Sequence, residues 1–470
     1  MNSSQFRRTR IAAAAAGTVF ALAAGHSYGS GFALQEESAS GLGNAFAGGA
    51  AAAEDASSMS VNPATLSKYT TNQVVMGVSV ITPSIKFKDG GSAAAAFQPQ
   101  GDSGGDAGST VPVPNFYLAV PINRDWVFGL GVNVPFGLVT EYNDSFVGRF
   151  QGIKSEVKTI NVNPALSWKV TDQLALGLGV DWQRISADFS SDVNYSGAMA
   201  QAAQSAAAQG LIPASLVPSI VGATTGLQSK SIVDGNDTTW GWNAGLLWDL
   251  NPATRIGVSY RSPVNYKVTG NVSFDNPTPN VPAPLAPVVG QLAQQVNSVA
   301  LFNGGVTADV KLPGQANLSI FQSYNNRWDW MADVQWTGWS RFKDLTFVRT
   351  TGALLQTTPE NFDDTWRVSA GATYKVSEQW KLRGGIAYDQ SPVNTTDLTV
   401  RLPDGDRYWL AGGAQYKFSQ QLRFDLGLAY LFIKQPDIDQ NEGSTAQNGL
   451  VTGHYDSNVI IVSGQLVYSF

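Results

Sequence analysis

The chain has 470 residues and no cysteine, and only 14% of its residues are charged, against about 25% in typical soluble domains. Without thiols it has neither disulfides nor thiolate metal sites. Three of its 30 basic residues fall in a leader, which leaves 27 against 36 acidic ones; an acidic balance of that size argues against a nucleic-acid partner.

The leader comes first along the chain. Arg7, Arg8 and Arg10 form a positive start, and Ile11 to Ala24 form a short, alanine-rich apolar stretch. Ser27-Tyr28-Gly29 places small residues at −3 and −1, so residues 1–29 read as a signal peptide cleaved after Gly29. The apolar stretch is too short to span a bilayer as a helix, which takes about 20 residues. No later run reaches the length of a transmembrane helix.

Residues 30–72 are rich in Gly, Ala and Ser and lack sustained alternation. Such a segment ahead of a barrel is either a periplasmic tail or a plug in the lumen. Its apolar content (Phe32, Leu34, Leu42, Phe46) and turn residues favour something packed, a hatch.

From Gln73 onward the dominant period is two. Leu174, Leu176, Leu178, Val180 and Trp182 alternate with Ala175, Gly177, Gly179, Asp181 and Gln183, and similar runs start at Trp328 and Leu422. A strand with one face in lipid and one toward a polar lumen has this pattern, although a sandwich strand over a core alternates identically. The leader, the aromatic-rich strand ends and the C-terminus favour the barrel. The expected fold is therefore all-β: a transmembrane antiparallel barrel over 73–470 with about fourteen strands. They lie near 73–88, 110–121, 126–140, 155–170, 173–190, 238–250, 254–272, 307–324, 327–345, 361–376, 380–391, 404–418, 421–435 and 456–470. Tight turns at Val170-Thr171-Asp172 and Asn251-Pro252-Ala253 alternate with long connections that would lie outside the cell.

Two long connections are expected to contain helices. Between Asn194 and Asn236 an alanine-rich stretch reads helical up to Gly210, a C-cap residue, and Leu216, Val217, Ile220 and Val221 make a second apolar face. Between Phe274 and Gly305, Pro287 opens a helix whose Val289, Leu292, Val296 and Val299 share one side. These faces either pack on one another to close the barrel mouth or leave an apolar groove for a ligand, and the two are compatible. At the other end of the chain, Ile460, Val462, Leu466, Tyr468 and Phe470 share one face of the last segment. An amphipathic final strand ending in phenylalanine resembles the signal read by the barrel-assembly machinery.

An ordered set of motifs resembles the FadL/TodX family of outer-membrane transporters for long-chain fatty acids and aromatic hydrocarbons. Ser30-Gly-Phe-Ala-Leu-Gln-Glu36, Ser40-Gly-Leu-Gly-Asn-Ala-Phe-Ala-Gly48, Glu54-Asp55-Ala56 and Asn62-Pro63-Ala64 look like the start of mature members. Phe136-Gly-Leu-Val-Thr-Glu-Tyr-Asn-Asp144, Gly241-Trp-Asn-Ala-Gly245, Tyr260-Arg-Ser262, Tyr388-Asp-Gln-Ser-Pro-Val393 and Pro403-Asp-Gly-Asp-Arg-Tyr-Trp-Leu410 continue the likeness over the mature chain. The resemblance implies a hatch-plugged fourteen-stranded barrel in the outer membrane of a Gram-negative cell. It is expected to be a monomer with no cofactor and no metal, in contact with outer-membrane lipid and lipopolysaccharide. Substrate would be captured in an apolar groove between two extracellular loops, pass to an inner pocket, and leave sideways through the wall into the bilayer.

The third strand supplies a physical handle for that exit. Pro135 cannot donate to the ladder, and Gly137 tolerates dihedrals that other residues avoid, so Pro135, Phe136 and Gly137 should break wall pairing. The resemblance implies an inward kink here, contacted by Asn62-Pro63-Ala64, with the Asn62 amide on the freed backbone. One departure concerns the substrate: where fatty-acid-handling members place basic residues near the carboxylate, this chain has Ser191 and Thr358, with Arg184 and Arg349 nearby. Uncharged aromatic hydrocarbons are therefore the alternative substrate, and a general porin or receptor barrel the remaining non-enzymatic reading. An enzyme is not expected, because a serine hydrolase needs a histidine base and the mature chain has only His454.

Overall fold

The computed structural model describes residues 31–441 and 444–470; the expected leader and its cleavage site lie outside the described residues. Fourteen antiparallel wall strands follow one another in chain order. The first half comprises β1 (Gln73–Asp89), β2 (Val111–Pro121), β3 (Trp126–Asn133, resuming at Gly137–Glu141), β4 (Lys154–Lys169), β5 (Leu174–Val193), β6 (Ser229–Asn251) and β7 (Thr254–Arg261, resuming at Val264–Asp275). Then come β8 (Gly304–Leu312 and Gln315–Ser323), β9 (Trp328–Thr337 and Asp344–Arg349) and β10 (Leu354–Pro359 and Thr365–Lys375). The wall ends with β11 (Trp380–Asp389), β12 (Arg407–Lys417), β13 (Leu422–Ile433, with Asp437–Gln440 beyond it) and β14 (Val451–Ser469). β14 pairs with β1 from Gln73↔Ser469 to Asp89↔Gly453, so the first and last strands join and the sheet closes on itself. Closure is what allows strands to cross lipid with every backbone group paired.

Tight turns such as 170–173 and 324–327 lie at the end where the chain enters and leaves the barrel, and the connections at the other end are longer, except for the short turn 350–353 between β9 and β10. Outer-membrane barrels place the long connections outside the cell. The outward face is apolar: Leu178, Val180, Ile320, Leu410 and Leu428 are exposed, as residues facing hydrocarbon must be. Rings of outward aromatics border this band, with Trp168, Trp248, Trp380 and Tyr468 toward the tight-turn end and Trp240, Trp366, Tyr388 and Tyr408 toward the other.

The expected strand positions hold within a few residues, with one systematic difference. β6 begins at Ser229 rather than near 238, and β10 at Leu354 rather than near 361. These extensions stand beyond the aromatic ring, where no lipid enforces an apolar outer face, so the alternation that reveals a strand is lost there. The β6 extension continues to pair with β5 up to Val193↔Ser229 and carries the loop helices above the mouth.

Residues 31–72 run inside the ring of strands. A short helix, α1 (Ala39–Leu42), and two 3-10 turns (Ala56–Ser60, Pro63–Lys68) fold back on the inward side chains of the wall. Ala50 N–H donates to Ser319 Oγ at 3.0 Å, Arg367 Nη2 donates to the Ala45 carbonyl at 2.6 Å, and Asn44 Nδ2 donates to Thr373 Oγ1 at 3.3 Å. Glu54 lies 3.2 Å from Arg383, which in turn pairs with Asp425 at 2.7 Å. The polar residues that alternation assigned to the lumen thus meet a polar, glycine-rich segment rather than open water.

Candidate functional site

The wall of the barrel is interrupted at β3. Pairing of β2 with β3 stops at Phe116↔Val132, and the resumed part of β3 pairs only with β4, from Gly137↔Lys158 to Glu141↔Lys154. Residues 111–115 of β2 keep β1 as their only ladder partner, which leaves a gap in the wall beside Val134, Pro135 and Phe136. The break is built by Pro135, which has no N–H to offer. Its backbone is not left bare. Leu34 N–H donates to Pro135 O and Gly137 N–H to Phe32 O, both at 2.9 Å, and Ala33 and Phe136 form an antiparallel bridge between them. The Thr159 hydroxyl accepts from Phe136 N–H at 2.9 Å.

That arrangement corrects one expectation. Asn62-Pro63-Ala64 does not reach the kink. The Asn62 amide donates to the carbonyls of Ala50 (2.7 Å) and Leu246 (3.0 Å), and its Oδ1 accepts from Ala64 N–H at 2.9 Å, capping the 3-10 turn. The triplet is seated against β5 and β6 near the tight-turn end, where Gly177 and Gly245 leave it room. The kink is contacted instead by the first residues of the described chain, because an extended strand satisfies freed N–H and C=O groups better than one amide can.

Above this contact lies an inner pocket between the N-terminal segment and the wall. Leu138, Val157, Phe189, Val310, Leu345 and Phe347 line it with carbon, and Glu360 and Arg401 are its two charged residues. Phe32 sits at its base among Trp339 (4.8 Å between ring centres), Phe342 (5.7 Å) and Phe136 (6.1 Å). Phe362 completes the group, 5.6 Å from Trp339. This one aromatic cluster joins the hatch, the β3 kink and the breaks in β9 and β10. The pocket retains about 50 Å³ of free space, enough for a little water and not for a long chain.

The loop helices close the mouth. α2 (Tyr195–Ala208) is capped by Asn194, whose side chain accepts from Gly197 N–H at 2.9 Å. It packs with α3 (Val217–Thr224) and α4 (Ala286–Val299), burying Met199, Ala203, Ile220, Val289, Leu292 and Val296 in a common core. Leu216, Val217 and Val221 are half-buried at its edge, while Val299 is exposed and takes no part. The apolar faces therefore pack on each other. The cavity left beside α4 has a mixed lining that includes Thr278, Asn280, Gln294 and Asn297.

A family model described as outer membrane protein transport protein (OMPP1/FadL/TodX) matches residues 20–470. The chain belongs to this family. It is 29% identical to the long-chain fatty acid transport protein of Escherichia coli K12, over 93% of this chain and 95% of that protein. It is 32% identical to Haemophilus influenzae outer membrane protein P1, over 88% of each. The crystal structure of a Pseudomonas aeruginosa FadL homologue is similar with a TM-score of 0.81 and 26% identity, covering 94% of this chain and all of that one. The structure of the P. putida toluene transporter TodX shows the same fold, with a TM-score of 0.64 and 20% identity over 95% of this chain and 99% of that one.

Against that FadL/TodX frame, the residues weighed for a charged subsite fall elsewhere. Ser191 and Thr358 are buried but do not line the pocket. Arg184 faces outward from β5. Arg349 is buried, yet its guanidinium is committed to the carbonyls of Phe302 (2.9 Å) and Ala300 (3.1 Å), pinning the end of α4. The pocket's cation is Arg401, from the connection between β11 and β12, which sequence reasoning passed over. Its only signal was position, two residues before the Pro403 motif. Arg401 Nη1 donates to Ser155 Oγ at 3.2 Å, which holds the guanidinium at the pocket wall.

Charged residues of the N-terminal segment are tuned by the same enclosure. Burial pushes the Glu36 carboxyl up to about 7, against the pull of its neighbouring backbone N–H groups and of Arg407 and Arg367. Burial also opposes ionisation of Glu54, but Lys381, Arg383 and Arg423 outweigh it and hold that carboxyl well below the usual range. At the far end of the chain, Leu466, Tyr468 and Phe470 face outward, with the Tyr468 and Phe470 rings stacked at 5.6 Å. One serine-hydrolase-like spacing, Gly101-Asp-Ser-Gly-Gly105, lies in the connection between β1 and β2 rather than at a strand-to-helix turn. There Asp102 accepts from Gly104 N–H and from Ser145, an ordinary loop-closing arrangement.

Proposed function

We propose that this protein carries long-chain fatty acids across the outer membrane, taking them from the loop mouth into the inner pocket and releasing them sideways beside the β3 kink. The observation that carries the choice of substrate is a carbon-lined pocket with a buried guanidinium, Arg401, at its wall. A carboxylate accepts charge-assisted hydrogen bonds from that group while the alkyl chain displaces water from the apolar lining. Lateral release has an energetic reason. Each methylene buried is worth about 0.8 kcal/mol, so delivery into water would oppose transport at every carbon, whereas delivery into hydrocarbon does not.

The closed pocket supports a gating role for the N-terminal segment. Phe32 fills the pocket base, and the backbone of Phe32 and Leu34 closes the freed edge of β3. Admitting a chain requires these residues to move, and their movement uncovers the gap. Asn62, Pro63 and Ala64 anchor the other end of the segment, so it can shift locally without leaving the barrel. Neutral aromatic hydrocarbons fit the carbon lining and have no use for Arg401, which makes the two substrates separable.

The test is uptake of radiolabelled oleate and toluene by cells lacking other transporters of this kind and expressing the chain or Arg401→Gln. Oleate uptake at limiting concentration should fall about tenfold, the worth of a charge-assisted hydrogen bond in a dry pocket, with toluene uptake unchanged. Equal loss for both, or oleate uptake that ignores the substitution, would overturn the carboxylate reading.

A further inference from the structure

The wall has a second interruption, separate from the β3 kink along the barrel circumference. Pairing of β8 with β9 runs through Val306↔Arg349 to Ala308↔Phe347, stops, and resumes only at Gln315↔Thr337. Residues 309–313 thus have no ladder partner on β9, because Gly338 and the 3-10 turn Trp339–Arg341 take that length of strand out of the sheet. The break leaves an outward-opening groove of about 510 Å³. Lys267, Lys311, Arg341 and Lys343 line it together with Asp309 and Asp344.

Three features mark this groove. All four cations are exposed. None has a carboxylate within ion-pair distance among the described residues, whereas Lys154, Lys230 and Lys375 elsewhere each reach one at 2.8–2.9 Å. Among the described residues, the single side-chain hydrogen bond made by the four is Arg341 Nη2 donating to Asn265 Oδ1 at 3.3 Å. The groove also stands directly beyond the lipid band. Tyr260 and Trp336 are in register with the girdle residue Trp366, and Lys267 follows Tyr260 up β7 while Arg341 and Lys343 follow Trp336 up β9. That is the level of headgroups in the outer leaflet, and the protein as a whole is acidic, so an unpaired cationic cluster there runs against its average charge.

We propose that this groove seats the phosphate groups of a lipopolysaccharide lipid A from the surrounding outer leaflet. Phosphate suits the cluster because its three oxygens accept from several donors at once and its charge offsets four cations that face only two carboxylates. A transported carboxylate fits less well: Phe342, buried and packed on Phe32 and Phe362, separates the groove from the apolar inner pocket. The proposal rests on the outer-membrane setting and not on which substrate is carried, so it stands or falls independently of the uptake test.

The experiment uses the full chain in nanodiscs of zwitterionic phospholipid, titrated with diphosphoryl lipid A and with its dephosphorylated form and read by native mass spectrometry. The unmodified protein should prefer the phosphorylated lipid about tenfold, as several exposed charge pairs together would give. That preference should vanish in K267Q/K311Q/R341Q/K343Q and survive in K88Q/K434Q, which removes exposed lysines elsewhere at the same end. Equal binding of the two lipids, or an unchanged preference in the quadruple variant, overturns the proposal. Displacement of lipid A by inorganic phosphate at millimolar concentration assigns the groove to a free anion and overturns the lipid. Should the quadruple variant fail to assemble, the unmodified protein decides the matter by salt. The preference must shrink between 0.1 M and 1 M, where the screening length drops from about 10 Å to about 3 Å, and a salt-independent preference sinks it.

Discussion

Gly177 and Gly245 show how closely single residues determine the seat of the N-terminal segment. A methyl group on Gly245 would overlap Asn62 Oδ1, and one on Gly177 would overlap the Ala64 nitrogen, so the wall has to be bare there. Asn62 itself is fully buried, with both amide hydrogens donated to Ala50 and Leu246 and its oxygen accepting from Ala64. Replacing it with Ala leaves buried partners unmet at about 1–3 kcal/mol. Amide exchange at Ala64 and Thr65 in Asn62→Ala should therefore quicken about tenfold or more, with Leu34 and Gly137 unchanged. Equal acceleration at both ends would show that the segment unseats as one body. The triplet was plain in the sequence, but its partner was not: register within the barrel, not spacing along the chain, places it against β5 and β6.

At the scale of elements, the β3 break was legible because proline leaves a chemical mark on a strand, a missing donor. What closed it was not legible, since residues 32–34 carry no motif for pairing with 135–137. The second break, between β8 and β9, had a fainter mark in Pro313-Gly314 and Gly338. If the gap beside β3 is the exit, blocking it should stop transport without disturbing the wall. The natural chain has no cysteine, so Val134→Cys gives a single thiol at the gap. Coupling it to a bulky maleimide should reduce oleate uptake several-fold, and the unlabelled variant should transport normally. Full uptake after complete labelling would move the exit elsewhere. The loop helices were likewise visible as apolar faces; whether those faces meet or leave a groove depended on how two separate connections fold over one mouth.

The whole molecule depends on closure. β1 pairs with β14 along its full length, and Phe470 N–H donates to the Asn72 carbonyl at 2.9 Å, joining the last residue to the residue just before the first strand. Phe470 is 55% exposed, so it adds little to the packed interior, yet it completes the outward face of the final strand. Deleting it should reduce the amount of heat-modifiable barrel several-fold by electrophoresis of outer-membrane fractions, while the barrel that does form keeps its normal unfolding temperature. A drop in unfolding temperature at normal abundance would make Phe470 a stability residue and not an assembly signal.

By itself the sequence determined whatever follows from periodic burial and from residues with unusual backbones. The strand count, the inside and outside of each strand, the lipid-facing band and the site of the β3 break all follow from a period of two set against hydrocarbon, with proline as the exception. Only the tertiary structure decided which groups converge: Phe32 with Phe136, Trp339 and Phe362 in one cluster, Arg401 at the pocket wall, and four cations on one outer groove. The physical reason is that a closed barrel brings together residues hundreds of positions apart through strand register and loop packing, neither of which leaves a local trace in the chain.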